Sequence, residues 1–236
     1  MHMLETQSCT LDNGGTNARR PANPGAEPEA LPDLLLIERA RAADERAIEA
    51  LLRRYCRRLF RVACSVLMDE ERAEAAVFDA CCAGFSDLGR YDLSGKFAAW
   101  LTRLAYSQAR SLRRPSARQA QPPLSPPPVP VDGLSARQEL EQLIGHLPEA
   151  FRTVYVLRIV EGISGIETAA CLGLHETTVR TRLFRAHRRL PSGTAQRLHA
   201  TPAVLEPSAA CSERIVKRTL AQLAQGSMLR ISASPP

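Results

Sequence analysis

The amino-acid sequence predicts an all-α protein, two small helical domains joined by a proline-rich linker. Three observations carry this. Apolar residues recur every three or four positions over long stretches, no segment of strand length alternates apolar with polar residues, and the prolines cluster so that two long intervals stay open to helices. Of 17 prolines, four precede Asp33, seven lie between Pro115 and Pro130, five lie from Pro191 onward, and Pro148 alone interrupts residues 131–190.

Residues 1–32, rich in Pro, Gly, Asn and Ala without a period, read as a disordered tail. The first domain spans 33–114. It opens with a short helix from Asp33 to about Ala42, after which Asp44 can cap a long helix with the stripe Ile48, Leu51, Leu52, Tyr55, Leu59, Val62, Ala63 and Val66. Asp69 can cap a second long helix, whose inward residues are Ala73, Val77, Cys81, Phe85 and Leu88. After the loop GRYDLSG, a third runs from Lys96 to Arg114 with Phe97, Trp100, Leu101, Leu104 and Leu112 inward. The segment PSARQAQPPLSPPPVPVDG, residues 115–133, has too little apolar content to pack and reads as a semi-stiff tether rising about 3.1 Å per residue.

In the second domain, 134–190, a helix near Ser135 to His146 leads to Pro148, suited to the first turn of a helix reaching about Glu161. Ser164 and Glu167 have the spacing of a capping box, Gly173 supplies a turn needing positive φ, and a longer helix follows from about His175. Ala169 lies four residues before Gly173 and Val179 six after, the spacing of a helix-turn-helix. Residues 191–236 read as a C-terminal tail with a short helix.

Several functional classes drop out. No run of about 18 uncharged apolar residues offers a membrane span, and the first residues lack the layout of a secretory signal, so a cytoplasmic protein with no membrane partner is expected. Seven cysteines without a CxxC pair fit reduced core thiols; redox sensing by Cys81 and Cys82 is the alternative. GxSxG, HExxH and GxGxxG are all absent, and the five histidines have no ligand spacing. The expectation is a protein that is not an enzyme and carries no cofactor or metal.

The net charge of +6 is concentrated. Between Asp92 and Asp132 there is no acidic residue, while Lys96, Arg103, Arg110, Arg113, Arg114 and Arg118 contribute +6; residues 175–190 add a further +4, five arginines against Glu176. Arg103, Tyr106, Arg110, Arg113 and Arg114 share one side of the third helix, a face suited to phosphate neutralisation and base stacking. On the helix after Gly173, Thr177, Thr178, Thr181 and Arg182 stand where side chains reach base edges, and Arg185, Arg188 and Arg189 where phosphates pass, with Arg180 adding charge between them.

These two halves together resemble the extracytoplasmic-function (ECF) sigma factors of bacterial RNA polymerase. LPEAFRTVYVLRIVEGISGIETAACLGLHETTVRTRLFRAHRRL is similar to sigma region 4, which reads the −35 promoter element; DERAIEALLRRYCRRLFRVA and GKFAAWLTRLAYSQARSLRR are similar to parts of region 2, which recognises and melts the −10 element. The resemblance implies that residues 88–97, including Tyr91 and Lys96, form the loop that captures a flipped base, and that Arg103, Tyr106, Arg110, Arg113 and Arg114 hold the non-template strand. It also implies core RNA polymerase and promoter DNA as partners, an anti-sigma factor as a further one, and a polymerase-docking patch at Ala75, Phe78 and Asp79. There RAEAAVFDA departs from the family's AEDxxQE at Ala75, Phe78 and Asp79, of which only Asp79 keeps its charge, and Ser107 stands where Asn is usual. A stand-alone helix-turn-helix regulator, or a sigma mimic that binds an anti-sigma factor with weakened polymerase docking, are the other readings.

Overall fold

Asp44 follows the turn after the first helix and starts the longest helix of the first half, because its carboxylate accepts the backbone N–H groups of Arg46 and Ala47. The computed structural model describes residues 31–93, 95–113, 135–201 and 203–232, with side chains to 226. Among the described residues there is no strand. Helix α1 (Asp33–Arg41) precedes α2 (Glu45–Leu67), which stops where Met68 turns left-handed at φ 52°. The next residue, Asp69, caps α3 (Glu70–Ser86) through the Arg72 N–H. A short 3-10 turn, Leu88–Arg90, leads to α4 (Phe97–Leu112). The expected stripes of α2 and α3 are buried, apart from a half-exposed Ile48. Gly84 lets α3 and α4 approach closely, since a Cβ there would stand 3.1 Å from both Leu101 and Leu104.

In the second half, Ser135 forms a complete capping box with Gln138 at the head of α5 (Ala136–Gly145). Pro148 is the extended N-cap of α6 (Glu149–Tyr155) rather than a first-turn residue; its carbonyl accepts the N–H of Phe151 and Arg152 at 2.9 Å each. A π-helical turn, Val156–Val160, continues α6. Ser164 caps α7 (Gly165–Leu172), yet the box is only half made, because the Glu167 carboxylate turns to Arg58 at 3.8 Å and Lys96 at 3.9 Å. Gly173 has φ 64°, and α8 (Glu176–His187) follows with Val179 and Ala186 buried. After Pro191 come α9 (Thr194–Ala200) and α10 (Ala209–Ser232), 24 residues where the sequence suggests only a short helix.

The two halves share one apolar interior. Leu140, Ile144, Tyr155 and Val156 join Leu51, Phe60 and Ala76 in one cluster, and Val62 and Ala99 lie in another with Val154, Leu157 and Cys171. Helix α6 packs on α2, α7 lies across α4, and α10 runs along α2 and α3. Two buried arginines stitch the halves. Arg152 donates to Ser65 O (2.5 Å), Gly145 O (2.8 Å) and Leu147 O (3.1 Å), while Arg61 donates to Val204 O (3.0 Å) and to Glu161 and Glu206 (2.6 Å each).

Fully buried Tyr155 has a hydroxyl with no hydrogen-bond partner among the described residues, and burial raises that phenol to about 12. Tyr155→Phe removes an unsatisfied polar atom at constant shape. We expect it to leave stability unchanged or raise it by up to about 1 kcal/mol in urea unfolding; a loss above that would show that the hydroxyl is paired in solution.

Candidate nucleic-acid interface

The α4 face is built by helical spacing. Arg103 and Arg110 are exposed, Tyr106 between them is half-buried, and the Arg110 guanidinium stands 5.8 Å from the Tyr106 ring centroid. Arg113, at the end of α4, is held by Glu149 at 2.5 Å. Arg114 lies outside the described residues. Leu112, expected inward, is on the surface at 36% exposure, although Arg72 of α3 reaches its carbonyl.

The loop before α4 is fixed by its aromatic residues. Tyr91 is buried; its ring meets Phe97 at 5.4 Å and Trp100 at 5.0 Å, and its hydroxyl donates to Gly95 O at 2.5 Å. Tyr91 therefore shapes the loop from inside, with its ring covered by Phe97 and Trp100 rather than open as the sequence suggests. Arg41 pins the same loop by donating to the carbonyls of Leu88 and Tyr91. Lys96 is 74% exposed at the rim of a cavity of about 320 Å³ that Leu34, Leu93, Phe97 and Glu167 also line.

On α8 the exposed residues Thr177, Thr181, Phe184 and Arg188 succeed one another at four, three and four positions, so they share one face, with Arg180 and Arg185 beside them. Thr181 is steadied by donating to Thr177 O at 2.9 Å. Thr178 and Arg182 are half-buried; Arg182 lies on the side towards Tyr106, close enough to interact electrostatically with that phenol. Arg189 stacks on Phe151 at 5.0 Å, whereas Arg188 projects over Phe184 at 5.9 Å. Phe184, 61% exposed amid threonines and arginines, is a residue that sequence reasoning passed over. Its signal was available: it stands three residues after Thr181, off the Val179–Ala186 stripe.

The basic face of α4 abuts α7 and the turn that leads into α8. A groove of about 410 Å³ between α4 and α7 is lined by Arg103, Tyr106, Ser107, Arg110, Ser111 and Leu172. The Arg103 guanidinium lies over Gly173, where a Cβ would stand 3.3 Å from its nearest nitrogen.

Comparison with known proteins places this architecture. Residues 137–190, α5 through α8, match the family model "Sigma-70, region 4". RNA polymerase sigma-H factor of Pseudomonas aeruginosa is 28% identical over 174 residues, covering 65% of this chain and 89% of that protein. RNA polymerase sigma factor NccH of Alcaligenes xylosoxydans xylosoxydans is 31% identical over 173 residues, covering 67% of this chain and 92% of the relative. The chain belongs to the ECF RNA polymerase sigma factors. Among solved structures, CnrH in complex with the cytosolic domain of CnrY is similar at a TM-score of 0.52 and 28% identity, over 71% of this chain and 97% of that one.

In this sigma factor the α3 patch is only partly open. Ala75 and Asp79 are exposed, but Phe78 is half-buried, with the Arg218 guanidinium 4.5 Å from its ring centroid. The described cysteines are unpaired and all but Cys82 are buried; burial raises each thiol, Cys56 and Cys171 to about 11 and Cys64 to about 12, and takes Cys81 well above its usual value. Thiolates are the reactive form, so the buried sulfurs suit packing, Cys81 among them, while Cys82 beside it is partly open. Among the described residues no cluster of His, Cys, Asp and Glu has metal-site geometry, and no helix is long and apolar enough to cross a membrane.

Proposed function

We propose that this sigma factor binds core RNA polymerase and directs initiation at a specific promoter, with α8 reading the −35 element and the α4 face with its preceding loop reading and opening the −10 element. The observation that carries the reading is the α7–Gly173–α8 unit, whose outward face of Thr177, Arg180, Thr181, Phe184 and Arg188 stands on the segment that matches sigma region 4. Threonine hydroxyls and arginine forks suit base edges, Phe184 suits a thymine methyl, and the later arginines suit phosphates. At α4, unpairing needs cations and π surface; Arg103, Tyr106 and Arg110 supply both. The protein acts by recognition, and the polymerase supplies the catalysis.

Elements 25 base pairs apart are separated by roughly 85 Å along B-DNA at about 3.4 Å per pair. With Arg103 seated on Gly173, the two surfaces cannot reach both elements together. Promoter binding therefore requires α7 to leave α4, on the tether that 115–133 provides in the sequence. The test is run-off transcription with core polymerase on a promoter library, where a consensus with two separated elements is expected and sequence-independent transcription would refute the reading.

A finer outcome follows from α8. Once α7 leaves α4, Arg182 is released from the side towards Tyr106, and Arg182→Ala should lower discrimination between cognate and mismatched −35 sites by about 1–3 kcal/mol, while Arg188→Ala should weaken all sequences alike and reduce the salt slope by about 1. Equal loss on every sequence for both variants, titrated at several salt concentrations, would refute this division.

A further inference from the structure

Helix α10 covers the side of α3 that carries Glu74, Phe78 and Cys82. Its buried stripe, Cys211, Ile215, Val216 and Thr219, faces α2 and α3. Around that stripe the charges match. Arg214 donates to both oxygens of Glu74, at 2.6 and 3.2 Å, and Arg218 stands 3.7 Å from the same carboxylate while lying over Phe78. On the other flank Arg53 of α2 reaches Glu213 at 2.9 Å. The Arg214 hydrogen bonds outweigh burial and hold Glu74 below the usual carboxylate range.

We propose that α10 is an intramolecular occupant of the polymerase-docking face, competing with core polymerase for the Glu74–Phe78 side of α3 and holding the sigma factor closed until polymerase displaces it. The inference rests on the reading of Ala75, Phe78 and Asp79 as the docking patch. Three features support it. Phe78 and Asp79 are next to each other in sequence, so a partner that grips this turn of α3 collides with Arg218. Helix α3 is acidic at Glu70, Glu71, Glu74 and Asp79, so any partner must be basic with a surface for one aromatic ring; α10 presents Arg214, Lys217 and Arg218. The charged part of the grip is exchangeable, because Arg214 and Arg218 remain 56% and 57% exposed and ion pairs at such sites yield readily to a competing partner, which must then supply apolar surface in place of the α10 stripe.

The decisive experiment is amide hydrogen exchange of the full-length wild-type chain, alone and with excess core polymerase. Residues 211–220 should exchange at least tenfold faster in the complex while 51–66 of α2 stay protected. In parallel, the full-length double variant Arg214→Glu/Arg218→Glu should bind core polymerase at least fivefold more tightly than wild type, and Arg218→Ala, which leaves the apolar stripe intact, should show a smaller gain of the same sign. Polymerase binding with α10 as protected as in the free protein would overturn the proposal and leave the sigma-factor reading standing, with α10 a permanent part of the fold. Affinities of the variants at or below wild type would overturn it as well. Failure of every form to bind core polymerase would overturn this inference together with the docking reading on which it rests.

Discussion

Replacing Arg152 with alanine is expected to destabilise the protein by about 3 kcal/mol. Arg152 is 8% exposed, and burial depresses its pKa, so the buried cation must be compensated locally. The compensation comes from helix ends. Ser65 and Val66 lie in the last turn of α2, Gly145 closes α5, and Leu147 follows it; their carbonyls have no partner of their own in a helix and carry the negative end of its dipole. Truncation opens a void between α2 and α6 and leaves those carbonyls without their donor; a buried acceptor left unpaired costs about 1–3 kcal/mol, and water entering the void satisfies most of the four. Arg152→Met keeps the stem and should recover only the packing share. The check is urea unfolding, where a lower midpoint at constant m is expected; a change below about 1 kcal/mol would mean that water satisfies the carbonyls.

Arg61→Ala is expected to cost a similar amount, about 3 kcal/mol, by a different route. Its guanidinium joins Glu161, which follows the π turn, to Glu206 and Val204 just before α10. Glu161 is 7% exposed at its side chain, and without Arg61 it keeps, among the described residues, Arg58 at 3.5 Å. A buried carboxylate that loses its main partner is costly, whereas the pair itself adds little beyond a well-packed apolar substitute. Arg61→Ala should therefore also speed amide exchange in residues 203–206. Thermal unfolding within about 1 kcal/mol of wild type would show that Arg58 suffices.

Local structure was readable to the extent that it depends on neighbours in sequence. Asp44 and Asp69 cap the helices that follow them, a helix starts after Ser135, Gly173 takes the left-handed turn, and the stripes of α2 and α3 face inward, because caps and periodicity act over a few residues. The basic threonine-bearing face of α8 was legible for the same reason. Where sequence and structure differ, a distant partner intervenes. Glu167 has the spacing to complete a capping box, but Arg58 and Lys96 offer its charge more than one backbone N–H does. Tyr91 looks like a loop aromatic available to DNA, and it is buried because Phe97 and Trp100 lie one turn apart beneath it.

By itself, the sequence determined the helical class, the helix-turn-helix and the placement of charge in two basic segments. Hydrophobic period, capping chemistry and net charge are properties of short stretches, and none requires knowing what lies opposite. The tertiary structure alone decided that the basic face of α4 borders a groove closed by Leu172 of α7, that Arg103 rests on Gly173, and that a C-terminal helix lies on Phe78. Those contacts join residues some 70 to 140 positions apart in the chain, where the free energy comes from burying surfaces that no local pattern can pair.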